Sequence, residues 1–207
     1  MLQEFAIDPR ALSRWQTYSH FVHDCGVENG RLISDFPNRW CKMVSEACRA
    51  NANCSELELK KVEFDLQHRV PAKLVAGSRS YHFDGTDWLQ QAEREDVKRP
   101  FRAIISDANP RTHQKVLVAS ELDKEGDTSW RVSRSCSVQR EPALLAAIAE
   151  PLLRISRQVR FVDPYFSPDK PRYQKSYCAF LERISRCNPQ LLKVEFHLEF
   201  KTDRRGQ

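Results

Sequence analysis

The chain lacks any run approaching the roughly 18 consecutive apolar residues of a membrane-spanning helix, so no membrane partner is expected. Its first residues, Met1-Leu2-Gln3-Glu4-Phe5, carry neither the basic nor the apolar region of a secretion signal, and a cytoplasmic location is the expectation. Glycine is scarce, with six in 207 residues, and no glycine-rich phosphate loop is present. Gly-x-Ser-x-Gly and the paired acidic metal motif of nucleases are missing too, so the commonest phosphate, acyl-transfer and two-metal chemistries have no signature here. The seven cysteines are odd in number, none forms Cys-x-x-Cys, and a chain of this size needs no disulfide staples; reduced thiols are expected. The nearest approach to a metal set is His20, His23 and Cys25, but no second pair at zinc-site spacing accompanies it. No metal and no cofactor are expected. Repeats and low-complexity segments are also absent.

What the chain does hold is ordinary globular composition, 41% hydrophobic and 29% charged, enough for one large α/β domain or two small ones. The net charge of +5 is uneven. From Leu152 to Gln207 there are 12 Lys/Arg against 6 Asp/Glu, which leaves 21 against 22 in the rest. A field concentrated in the C-terminal quarter favours a polyanionic partner, most often DNA or RNA, although a solvated helix face has the same composition.

Periodicity and punctuation give an order of elements. Glu4-Phe5-Ala6-Ile7 reads as a strand closed by Asp8-Pro9, and Leu12 to Val22 as a helix. Arg31-Leu32-Ile33-Ser34 precedes Asp35-Phe36-Pro37, a start signal for a helix from Asn38 to Arg49 with Trp40, Met43, Val44 and Ala47 on one face. Ser55 and Glu58 have the spacing of a capping box for a helix to His68. Short strands are expected at 74–77 and 80–83, a helix from Trp88 to about Val97, and strands at 101–106, 114–119 and 129–132. Beyond a soft boundary between Arg134 and Pro142, a helix runs from Ala143 to Arg157 with Leu144, Leu145, Ile148, Leu152 and Ile155 buried and Pro151 kinking or breaking it. A buried strand Val159 to Phe166, a helix from Pro171 to Arg183 and an alternating strand from Leu191 to Phe200 complete the chain. The expectation is an α/β protein, a mixed sheet covered by helices, with an α+β region over residues 1–140. A helix-strand-helix-strand unit over 141–207 should form a right-handed crossover with parallel strands.

Three constellations carry chemistry. His113 and Lys115, two apart at the start of a strand, fall on one face, where an imidazole nucleophile can sit beside an ammonium that stabilises phosphate charge. The strand end Asp163-Pro164-Tyr165-Phe166 offers a carboxylate, either ligand-orienting or turn-forming. Arg172, Lys175, Arg183 and Arg186, with Tyr173 and Tyr177, offer cations and stacking faces that could follow a phosphate backbone.

The first two sets together resemble the phospholipase D superfamily, a partial and degenerate likeness. His113-x-Lys115 resembles its His-x-Lys motif, with Ser120 where the family has an aspartate. Phe161-Val162-Asp163-Pro164-Tyr165-Phe166 is similar to an early strand of such domains in some bacterial proteins. The resemblance implies a phospholipase D-like C-terminal unit and a nucleic-acid-directed module of a bacterial, by analogy antiviral defence, system. It also implies metal-independent phosphodiester cleavage with His113 as nucleophile and Lys115 as phosphate clamp. Two such motifs are needed, so one chain would supply both only as a homodimer. The competing reading is a non-catalytic subunit that uses the same fold to bind a protein partner.

Overall fold

A computed structural model describes residues 2–75, 79–133, 135–167, 169–188 and 191–197. The chain folds as two units, Met1–Cys136 and Ser137–Gln207.

The first unit is built on five strands: β1 (Gln3–Ile7), β2 (Arg31–Ser34), β3 (Leu74–Val75), β4 (Ile104–Ser106) and β5 (Val116–Val118). They lie in the order β3-β2-β1-β4-β5, and every pairing is parallel. The expected mixed sheet is corrected on this point. Two of the expected short strands, 80–83 and 129–132, do not form, and side chains take their backbone groups. The N–H and C=O of His82 bond to the Gln91 amide at 2.7 and 2.6 Å. The carbonyls of Ser129 and Arg131 accept from Arg102, and that of Trp130 accepts from Arg31. Arg31–Ser34, whose adjacent Leu32 and Ile33 show no period, is β2; its lead-in turns on Gly26 and Gly30, at φ 148° and 71°.

Alternation along the strands sends side chains to two cores, as a sheet covered on both faces requires. Phe5, Ile7, Ile33 and Ile105 face one cluster, Ala6 and Ile104 the other. The larger core is closed by α1 (Trp15–Val22), α2 (Trp40–Ala50) and α3 (Glu56–His68), through Tyr18, Phe21, Trp40, Val44, Cys48, Val62 and Leu66. The smaller is closed by α4 (Trp88–Lys98) through Trp88, Leu89 and Ala92. On α2 the buried stripe is Trp40, Val44 and Cys48, while Met43 and Ala47 stay partly exposed.

Helix α3 begins where its capping box places it. Ser55 accepts from the Glu58 N–H, and the Glu58 carboxylate accepts from the Ser55 N–H at 2.9 Å. Ser55→Ala should lower stability by about 1 kcal/mol, read as a shift in the urea midpoint with the slope unchanged. No shift would remove the cap from the account.

The second unit contains α5 (Pro142–Ile155), β6 (Gln158–Val162), α6 (Pro171–Cys187) and β7 (Lys193–His197), with β6 and β7 parallel. Pro151 lies inside α5 without ending it. The buried residues of α5 are Ala146 and Leu153, whereas Leu144 and Leu152 are exposed, one step round the helix from the expected stripe. β6 stops at Val162, which is 73% exposed, so it is a half-exposed strand rather than a buried one. Phe161 stacks on its register partner Phe196, and Tyr177 and Phe180 of α6 close over them edge-on or tilted. Residues 198–207, including the end of the expected last strand, lie outside the described residues.

Candidate functional site

In the order β3-β2-β1-β4-β5 the chain builds outward from β1 in one direction, then returns to place β4 on its other side. The carboxyl ends of β1 and β4 therefore flank the point where open parallel sheets take their ligands. Each of those ends delivers an acid: Asp8 follows Ile7, and Asp107 follows Ser106. Asp8 is 7% exposed, and its Oδ1 accepts the Arg10 N–H at 2.9 Å. Burial pushes its carboxyl up to about 6, the Arg10 hydrogen bond and charge oppose this, and Asp107 and Asp87 add to it. Asp35, just past the end of β2, is also raised by burial and accepts from the Trp40 N–H at 3.4 Å.

Two concavities open beside Asp107. One of about 540 Å³ lies between the Pro9–Arg10 turn and α2, and another of about 550 Å³ runs along β5 from Asn109 to Asp127. Sequence reasoning placed the strand-end acid of an α/β site at Asp163 and passed over these two. The available signal was the pair of apolar runs Phe5-Ala6-Ile7-Asp8 and Ile104-Ile105-Ser106-Asp107; the missing part was their adjacency, which joins residues about a hundred apart.

His113 and Lys115 lie in the β4–β5 connection, 107–115, which crosses between parallel strands without a helix. Asn109 folds it: its Oδ1 accepts the His113 N–H at 2.9 Å, and its Nδ2 donates to the His113 carbonyl at 3.0 Å. Both residues precede β5 instead of sharing a strand face. The Lys115 ammonium is 3.0 Å from Asp96 on α4, and the Lys115 N–H donates to His113 Nδ1 at 3.3 Å. An imidazole that accepts at Nδ1 carries its proton on Nε2 when neutral, which leaves Nε2 without a lone pair for attack. The cation beside it is already compensated.

No family model, curated protein or solved structure matches the chain. The site must be read from its own geometry. Among the described residues no three His, Cys, Asp or Glu side chains converge to hold a metal. His20 and His23 are exposed while Cys25 is fully buried, its thiol pushed by burial up to about 12.

In the second unit Asp163 makes a turn. Its Oδ1 accepts the Tyr165 N–H at 2.9 Å, and its carbonyl accepts the Phe166 N–H at 3.2 Å. Arg172, Lys175, Arg183 and Arg186 lie on α6, and at 100° per residue they fall within an arc of about 80°. Tyr173 and Tyr177 occupy the apolar side, packed on Phe166, so Tyr177 belongs to the aromatic cluster over the strands. Arg172 stacks on the Tyr173 ring at 4.6 Å and donates to its hydroxyl, Arg183 pairs with Glu150 at 2.8 Å, and Arg186 meets Glu182 at 4.0 Å. Arg172 and Lys175 are exposed at the helix's first turns.

Proposed function

We propose that the chain is a nucleic-acid-directed module that binds the phosphate backbone through α6 and is not itself a nuclease. The observation that carries this is the cationic stripe. Four cations within one arc span about 21 Å of helix, several phosphate spacings; Arg172 and Lys175 are exposed, while Arg183 is paired with Glu150 and Arg186 with Glu182. Contacts of that kind position a protein without reading sequence. The unit remains a candidate phospholipase D-like one. The cleavage that resemblance implies is the second reading, and it is disfavoured by the tautomer of His113 and the Asp96 partner of Lys115.

The test is anisotropy titration of the full chain with labelled single-stranded and duplex DNA and RNA at several salt concentrations. Arg172→Glu/Lys175→Glu should weaken binding about tenfold or more and flatten the log–log salt slope by about one unit per lost phosphate contact. Unchanged affinity and slope would remove α6 from the interface and favour a protein partner. The same oligonucleotides, incubated with EDTA, should stay intact. Cleavage by the wild type that vanishes in His113→Ala would replace binding with catalysis as the function.

A further inference from the structure

The 540 Å³ cavity at the carboxyl edge of the sheet is lined by residues of the first unit alone, none of which belongs to the proposed function, and its lining divides cleanly by chemistry. Its floor is apolar: Met43, Ala47 and Ala50 recur at helical spacing on the side of α2 that the core leaves uncovered. Two alanines beside a methionine leave a shallow bed wide enough for one aliphatic or aromatic side chain. The neutral polar groups of the wall are occupied within the protein. Asn51 Nδ2 donates to the Ser13 carbonyl at 3.1 Å and to its hydroxyl at 3.3 Å, while Asn51 Oδ1 accepts the Asn53 N–H at 3.0 Å.

The charged groups are not so occupied. Among the described residues the Arg10 guanidinium is in no ion pair, although its backbone N–H is held by Asp8, and the Asp107 carboxylate takes neither a hydrogen bond nor an ion pair. Glu46, the third charge, meets exposed Lys42 at 3.7 Å. The cavity therefore offers an exposed cation and an exposed carboxylate, neither in an ion pair among the described residues, and an apolar bed between elements fixed by the core.

A ligand that answers all three at once carries a carboxylate, an ammonium and an apolar side chain. The lining's formal charge, one cation against two carboxylates, opposes a dianion such as a nucleoside monophosphate. It suits a zwitterion, whose opposite ends meet opposite partners. We propose that this cavity binds a free α-amino acid with an apolar side chain, its carboxylate on Arg10, its ammonium on Asp107 and its side chain on Met43, Ala47 and Ala50.

The experiment is calorimetric and saturation-transfer titration of the full chain with L-leucine, L-methionine and L-phenylalanine. At least one should bind with a Kd of about 1 mM or tighter. For the best of them, the carboxamide, which lacks the carboxylate, and the deaminated acid, which lacks the ammonium, should each bind about tenfold or more weakly. Arg10→Gln and Asp107→Asn, both exposed, should reproduce those two losses one by one; each alters the charge beside Asp8, so the thermal midpoint is read alongside and ligand is titrated well below it. Absence of binding by all three amino acids overturns the proposal. So does equal affinity for either truncated analogue, or binding that survives both substitutions.

Discussion

Arg79→Ala is expected to destabilise the first unit by about 3–5 kcal/mol, the cost of leaving a buried charge without its partner. The Arg79 side chain is 1% exposed and grips Glu4 with two nitrogens, Nε to Oε1 at 2.9 Å and Nη2 to Oε2 at 3.0 Å. It also donates to the Arg99 carbonyl at 2.6 Å and lies 3.5 Å from the centre of the Phe101 ring. One guanidinium thus ties the start of β1 to the residues after α4. Burial alone would raise the Glu4 carboxyl above its ordinary 4.5; the hydrogen bonds and charge of Arg79, with help from Arg99 and Ser34, outweigh that and hold it below. The pH dependence follows from that sign. A carboxyl depressed in the folded state contributes stability that is present above its unfolded value and is lost as the pH falls through the folded one. Without Arg79 the buried Glu4 gains a proton more readily, so the variant's deficit should be widest at neutral pH and shrink on acidification, from above the ordinary 4.5 down through it. Urea unfolding at neutral and acid pH measures both parts. A deficit under about 1 kcal/mol, or one that widens in acid, contradicts the account. Arg79→Met combined with Glu4→Gln should recover much of the loss, since removing both charges removes the desolvation cost.

The parts of this fold that the sequence announces are those whose signals are local. Ser55 and Glu58 touch across one turn, and α3 starts where their spacing says it does. The cations of α6 share a face because helical period alone puts them there. Strand direction is another matter, because it depends on what lies alongside. Ala6 pairs with Ile104, and nothing in either tetrapeptide names the other. Ser80–Phe83 and Ser129–Val132 have the composition of strands and were read so. Gln91, on the following helix, and Arg31 and Arg102, much further off in sequence, claim their backbone groups. The site shows the same division. His113 and Lys115 are visible as a motif, but the Asp96 that neutralises Lys115 lies on another element. Asp8 and Asp107 become neighbours only once the order of the strands is known.

Trp130→Ala should cost about 3–5 kcal/mol, the other large effect expected in the first unit. Residues 119–133 contain no helix or strand, yet the indole in their midst is 1% exposed. It packs edge-on against Phe5 of β1 at 5.2 Å and Phe21 of α1 at 5.4 Å. The Arg31 guanidinium lies 4.7 Å from its ring centre while Arg31 Nε donates to the Trp130 carbonyl at 3.0 Å. Arg102 holds the neighbouring carbonyls of Thr128, Ser129 and Arg131, but its side chain is exposed, so those bonds compete with water. The indole, with Ala119, Leu122 and Val132 packed on the same core, excludes water from the segment's inner side. Removing it opens a void between Phe5 and Phe21 and ends the cation–π contact; the first loss falls on β1, the central strand, and the second on Arg31 of its neighbour β2. Trp130→Phe keeps a ring in the same space and should lose less than half as much. Hydrogen exchange distinguishes this pinning from a general loss of stability: in Trp130→Ala, amides of 119–133 should exchange faster than the fall in global stability accounts for, while those of α4 follow the global change. Uniform acceleration across the unit would show that the segment unfolds only with the whole, and a penalty below about 1 kcal/mol would show that the arginines hold it without the indole.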